Sequence, residues 1–209
     1  MAASTWEIVF WHSEGERGAA VRGPETVAST AEIAGDSESF GITFAHGTSM
    51  PHLPTRGLVD SELMIPRVSR RSFLLYGEEW EIPGADDAEL FVQKLVRAGV
   101  IVRDPLVDEI VWGGIAHVGA RSVQRRVAAA SGLTRGAIRQ IERARHAAAL
   151  LGEGVSALEV VHRLGYYDQP HMARSLQRFI GRTATQLQRH NDAENSMSLL
   201  YKTEDPVPS

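Results

Sequence analysis

The sequence predicts an α+β fold, with a β-rich N-terminal part followed by an all-α part. Three observations lead there. Up to about Pro66 the chain consists of short apolar runs (WEIVFW, FGITF, LMIP) separated by Gly, Pro and Ser clusters, the pattern of strands joined by turns. From about Asp86 the apolar residues recur at helical spacing instead. The charge also changes sign along the chain, which the overall value of −4 conceals. With 209 residues, 43% of them hydrophobic and 23% charged, the chain is large enough for two small packed domains.

Taken in order, the three apolar runs are the expected strands. The segment DDAELFVQKLVRAG follows, a helix with an acidic first turn, Leu90, Phe91, Leu95 and Val96 on its apolar side, and Gly99 as its stop. GVIVRDP reads as a connector in which Asp104 caps the next helix and Pro105 begins it. Helices are then expected at Pro105 to Trp112, Arg121 to Ser131, Arg135 to Leu151, Ser156 to Leu164 and Gln169 to Ile180. In the long fourth segment Ile138, Ile141, Ala144, Ala148 and Leu151 form the packing seam. The domain boundary falls near Arg103, giving residues 1–103, 104–190 and an acidic tail, 191–209, which is expected to be disordered.

Composition narrows the function classes. There is no cysteine, so disulfides, thiolate metal sites and cysteine nucleophiles are excluded. No basic-then-apolar leader or run of 18 apolar residues is present, so the expected location is the cytoplasm, with no membrane partner. Residues 1–103 hold nine Lys and Arg against 15 Asp and Glu, a net of −6. Residues 104–190 hold 12 against seven, a net of +5, and all 12 cations are Arg. The guanidinium fork suits phosphate and guanine edges better than an ammonium does, so this block is where a nucleic acid would bind.

Within it, SALEVVHRLGYYDQPHMARSLQRFIGRTATQLQ reads as a helix-turn-helix. Ser156 caps a helix whose Leu158, Val161 and Leu164 face inward, Gly165 stops it in the left-handed region, and Asp168 with Pro170 opens the next. In that second helix Met172, Leu176 and Phe179 share a packing stripe, while His171, Arg174 and Arg178 lie nearly opposite. A helix fits the major groove and offers its first residues to base edges, which selects Gln169, His171 and Arg174 for base contacts; Arg178 and Arg182 suit phosphates.

Gly165, Tyr166, Asp168, Gln169, His171, Met172, Arg174, Leu176, Arg178, Gly181 and Thr183 together resemble the second helix-turn-helix of the AraC family of transcription regulators. Ala184 stands where that pattern has proline, leaving the start of the final helix less constrained. Residues 121–151 are similar to the family's first recognition helix and linker helix, so the resemblance implies two helix-turn-helix units binding double-stranded DNA. In the first, Val123, Val127 and Ala130 would pack, Arg121, Gln124 and Arg125 would contact bases, and Arg126, Arg135 and Arg139 would contact the DNA backbone or be solvated charge. Aligning Gly132 with Gly181, and Ile110 with Val161, leaves the first turn two residues too long across the glycine-rich GGIAHVGA. Either that turn is stretched or the first unit lacks a regular positioning helix.

For the N-terminal part the resemblance implies a domain that senses a small-molecule effector or mediates dimerisation, with monomer and homodimer both open. VRGPET and FGITFAHGTSMPHLP resemble a sensor-like domain attached to one branch of these regulators. Trp6, Trp11, Phe40 and Phe44 are candidates for lining an effector pocket or, more simply, for filling the core. His12, His46 and His52 lack the His-any-His pair and downstream Glu of a metal-binding barrel, and GITFAHG lacks the Lys-Ser/Thr of a phosphate loop, so no metal or cofactor is expected. No nucleophile stands beside a base and no carboxylate pair is positioned for catalysis, so no enzyme activity is expected. The alternative reading of the helical part is a protein-interaction module with a vestigial DNA-binding domain.

Overall fold

Strand β1 (Glu7–Ser13) is the centre of an antiparallel four-stranded sheet. It pairs with β2 (Glu16–Arg22) on one side and β3 (Glu38–Thr43) on the other, and β2 pairs with β5 (Glu62–Met64), giving the order β3-β1-β2-β5. Short β4 (Thr48–Ser49) pairs with β8 (Val102–Arg103), and β6 (Ser72–Leu75) forms a hairpin with β7 (Glu78–Glu81). A single turn of 3-10 helix (Thr55–Leu58) and helix α1 (Ala88–Arg97) complete the N-terminal part. This computed structural model describes residues 1–13, 15–29, 37–66, 68–114 and 119–189. The acidic tail 191–209 and four residues of the GGIAHVGA corner, 115–118, lie outside the described residues.

The three expected strands are β1, β3 and β5. Five further strands, β2, β4, β6, β7 and β8, join them among the described residues. ERGAAVR is poor in strand-forming residues, yet it is β2, because neighbours on both sides supply its ladder bonds. The β6–β7 hairpin turns at Tyr76 and Gly77, whose φ values of 56° and 79° are the two positive angles that a type I′ turn needs. In α1, Ala88, Phe91 and Leu95 are buried, whereas Leu90 and Val96, expected on the apolar side, are exposed. The sheet covers the arc centred between Phe91 and Leu95, which Leu90 and Val96 flank on either side.

Seven α-helices occur among the described residues, six of them after α1: α2 (Pro105–Val111), α3 (Ala120–Ser131), α4 (Arg135–Gly152), α5 (Ala157–Leu164), α6 (Gln169–Phe179) and α7 (Ala184–Arg189). Local chemistry sets their starts. Asp104, Thr134, Ser156 and Asp168 each accept a backbone N–H in the first turn of the helix they cap. The missing proline at Ala184 is offset by a capping box. Gln186 N–H donates to Thr183 Oγ1 at 3.2 Å, and Thr183 N–H donates to Gln186 Oε1 at 2.8 Å.

Buried side chains gather into two clusters. One joins the strands to α1 through Trp6, Phe10, Phe73, Phe91 and Leu95, with Trp6 stacked on Phe44 at 4.0 Å. Trp6 and Phe44 therefore fill core, not pocket. The other cluster unites α2 to α7, centred on Ile138, Ile141, Ala144 and Leu151 of α4. Ala147, not Ala148, completes the fully buried seam of that helix. Ala2, from the opposite end of the chain, is also a member of this helical core.

Candidate nucleic-acid interface

The α5–α6 corner is built by four residues in succession. Gly165 adopts φ 65° and ends α5; Tyr166 turns inward and is buried; Tyr167 is 90% exposed; and Asp168 accepts the His171 N–H at 2.7 Å to start α6. On the buried side of α6 lie Met172, Leu176 and Phe179, as the periodicity predicts. In α5 the inward residues are Val160 and Val161, whereas Leu158, expected to face inward, is exposed.

The opposite face of α6 presents Arg174 and Arg178 to solvent, while Gln169, at the first position of the helix, and Arg182, just past its end, are exposed as well. Gln169, Arg174 and Arg182 make no hydrogen bond or ion pair among the described residues; Arg178 lies over the Phe179 ring at 5.0 Å. His171 is half-buried, its ring edge-on to Tyr166 at 5.3 Å and its Nδ1 accepting the Tyr167 N–H at 3.4 Å. It therefore braces the corner as well as bordering the exposed face. Tyr167 carries no periodic signal and was not among the expected site residues, although its position at the turn is where a major-groove helix meets DNA first.

The first unit has a regular positioning helix, α2, which packs on α3 and α4. Its connection to α3 runs from Trp112 to Gly119, against Gly165 to Asp168 in the second unit, so the first turn is the longer of the two. Val127 and Ala130 of α3 are buried with Val123 half-buried beside them, and Arg121, Gln124 and Arg125 are exposed and unpaired among the described residues. Arg126 is held by Asp104 at 2.8 Å. On α4, Arg139 is exposed, while the Nε atoms of Arg135 and Arg143 are buried without a partner. Arg143, which the sequence reading did not select, lies with its guanidinium carbon 4.4 Å from the centre of the Tyr166 ring.

The acidic N-terminal part grips both α3 and α6 at their C-terminal ends. Thr55 donates its hydroxyl to the Ala129 carbonyl of α3 at 3.0 Å, and Gly132, which ends α3 with φ 72°, sits against Thr55, Arg56 and Val59. At α6, Ala2 N–H donates to the Phe179 carbonyl at 2.6 Å and Ala28 N–H to the Arg178 carbonyl at 2.8 Å. These bonds satisfy carbonyls that a helix end leaves without intrahelical partners. The exposed Arg and Gln side chains begin at the opposite, N-terminal ends of the two helices.

The histidines do not converge. His12 lies on β1, His52 stands against Tyr76 at 5.1 Å, and His46 is buried against Ser4. No group of three His, Asp or Glu side chains is placed to hold a metal ion among the described residues. Nor is any described helix long and apolar enough to cross a membrane.

A helix pair with a tight glycine turn, an apolar inner stripe and an outer row of uncompensated Arg and Gln defines a helix-turn-helix DNA-binding protein. Comparison with protein families agrees: residues 112–190 match the family described as a helix-turn-helix domain. The matched unit is an AraC-type helix-turn-helix preceded by a β-rich region, and it supports a DNA-binding transcription regulator. No curated protein matches the chain, and no solved structure does.

Proposed function

We propose that the chain reads two successive major grooves on one face of a duplex, α6 in one and α3 in the other, roughly 34 Å apart. The observation that carries this reading is the pair of solvent-facing rows without counterions, Gln169 and Arg174 on α6, and Arg121, Gln124 and Arg125 on α3. Arg can pair with guanine O6 and N7, and Gln with adenine, each worth about 1–3 kcal/mol of discrimination. His171 joins the base-contacting set at the edge of α6. Arg178, Arg182, Arg135 and Arg139 serve the phosphates; Arg126 does so only by exchanging its Asp104 partner.

Residues 1–103 act as the regulatory domain, 104–190 as the reading domain, and 191–209 as a tail without an assigned role. Ligand control would act through the two clasps, since a shift of the N-terminal part pulls on the ends of α3 and α6 together. A single chain with two reading helices suffices for an asymmetric site, and a homodimer would double it.

Selection from random duplexes, with and without cell extract, tests the proposal. The expected result is a shared bipartite motif whose recovery changes with extract if an effector acts. No motif, together with no retention on mixed-sequence duplex at low salt, would instead support the protein-interaction alternative.

A further inference from the structure

We infer that the linker helix α4 is itself a DNA-contacting element, with Arg143, Arg139 and Arg135 lying along the sugar–phosphate backbone between the two grooves. The inference rests on the two-groove reading above and deepens it: Arg143 joins Arg135 and Arg139, and their phosphates are placed between the two grooves.

The three arginines stand at i, i+4 and i+8 of α4, each about 40° further round the axis, on the side away from Ile138, Ile141 and Ala144. Several arginines elsewhere are matched to carboxylates: Arg22 to Glu7 and Glu62, Arg103 to Asp108, Arg126 to Asp104, Arg145 to Glu142, and Arg163 to Glu159. These three have no carboxylate and no hydrogen-bond partner among the described residues. A row of like charges along one helix is a cost in the free protein, and an anionic rod of phosphates removes it.

Arg143 adds a feature that a merely solvated side chain lacks. Its guanidinium is laid on the Tyr166 ring, and Tyr166 is in turn fixed by the edge of His171 and by a 3.3 Å contact between its hydroxyl and Ser175. His171 and Ser175 lie on the same side of α6, and Arg174 is about 60° away from His171 round that helix. Arg143 is thereby immobilised next to the reading row. Its Nε is buried without an acceptor, as is that of Arg135, so the terminal Nη groups alone can be satisfied, and from outside. Phosphate oxygens match that fork. Because α4 joins α3 to α5, the phosphates it meets are those between the two read segments.

The experiment uses the full chain and the duplex motif recovered by selection, with neutral methylphosphonates placed singly along the segment between the half-sites. Arg143→Gln and the solvent-exposed Arg139→Gln should each weaken motif and scrambled duplex several-fold and by equal factors, and each should lower the salt slope by about one. A central methylphosphonate that weakens wild-type binding should have no effect on the matching variant. If both variants keep wild-type affinity, slope and methylphosphonate profile while the wild type binds its motif, the inference is overturned and the two-groove reading stands. If Arg143→Gln loses the motif-to-scrambled ratio with its slope unchanged, Arg143 only props the corner, which also overturns the inference. Absence of any motif or duplex binding by the wild type removes the two-groove reading itself.

Discussion

The backbone N–H of Ala2 donates to the carbonyl of Phe179 across 2.6 Å, tying the first residues of the chain to the last turn of α6. Arg145 donates to the Ala2 carbonyl at 3.3 Å, and Ala2 itself is fully buried. Next to it, the Ser4 hydroxyl donates to Glu142 Oε1 at 2.5 Å and meets His46 Nε2 at 2.8 Å. With the Ser4 O–H directed at Glu142, the imidazole carries its proton on Nε2 and donates to Ser4 Oγ. A buried polar chain thus joins the N-terminal part to the linker helix.

Ser4→Ala removes the shared hydroxyl and leaves the buried His46, and Glu142 at the edge of the site, without it. Stability should fall by about 1–3 kcal/mol. A lower urea midpoint with an unchanged m-value is the expected reading, and a midpoint equal to wild type would contradict the account.

His46 gives stability a pH dependence of definite sign. Burial, its largest influence, lowers its pKa below 6.5; Glu142 and Asp108 act the other way and Arg145 with it. The folded state therefore holds neutral histidine where the unfolded chain takes up a proton. This contribution is complete above pH 6.5 and is lost as the pH falls from there toward the lowered folded value. His46→Gln should show a flatter thermal midpoint than wild type between about pH 5 and 7. Parallel curves would argue against the role given to His46.

Gly132→Ala should be destabilising on two counts. The φ of 72° is unfavourable for alanine, and an added Cβ would come within 2.8 Å of Val59 Cγ2 and 2.9 Å of the Arg56 Cα. The expected loss exceeds about 1 kcal/mol, because both backbone strain and overpacking contribute. Denaturation checks the loss, and hydrogen exchange of the last turn of α3 should rise with it.

On DNA, Arg174→Ala should lower specific affinity by about 1–3 kcal/mol and relax base choice at one position of the motif. Arg182→Ala should weaken all sequences alike. Titrations against motif and scrambled duplex separate the two, and equal behaviour of the variants would contradict the separation of roles between them.

Helix positions in the C-terminal part were legible in the sequence because their signals are local. Asp104, Ser156 and Asp168 cap the helices they were expected to cap, Gly165 ends α5, and the Met172, Leu176, Phe179 stripe is buried. Each of these depends on residues within a few positions of one another, where 3.6 residues per turn and first-turn hydrogen bonds decide the outcome. Strand β2 was not legible, because its alanines and glycine become a strand by pairing with β1 and β5, which lie elsewhere in the sequence.

What the sequence by itself determined was the helical ladder, its caps and the outward row of Arg and Gln. Tertiary structure alone decided that Val160 and not Leu158 is buried, that Arg143 lies on Tyr166, and that Ala2 belongs to the helical core. Periodicity names an apolar side, but which neighbouring side chain comes nearest the partner element depends on how the helices cross. Contacts between residues 2 and 179 exist only once the whole chain has folded back on itself.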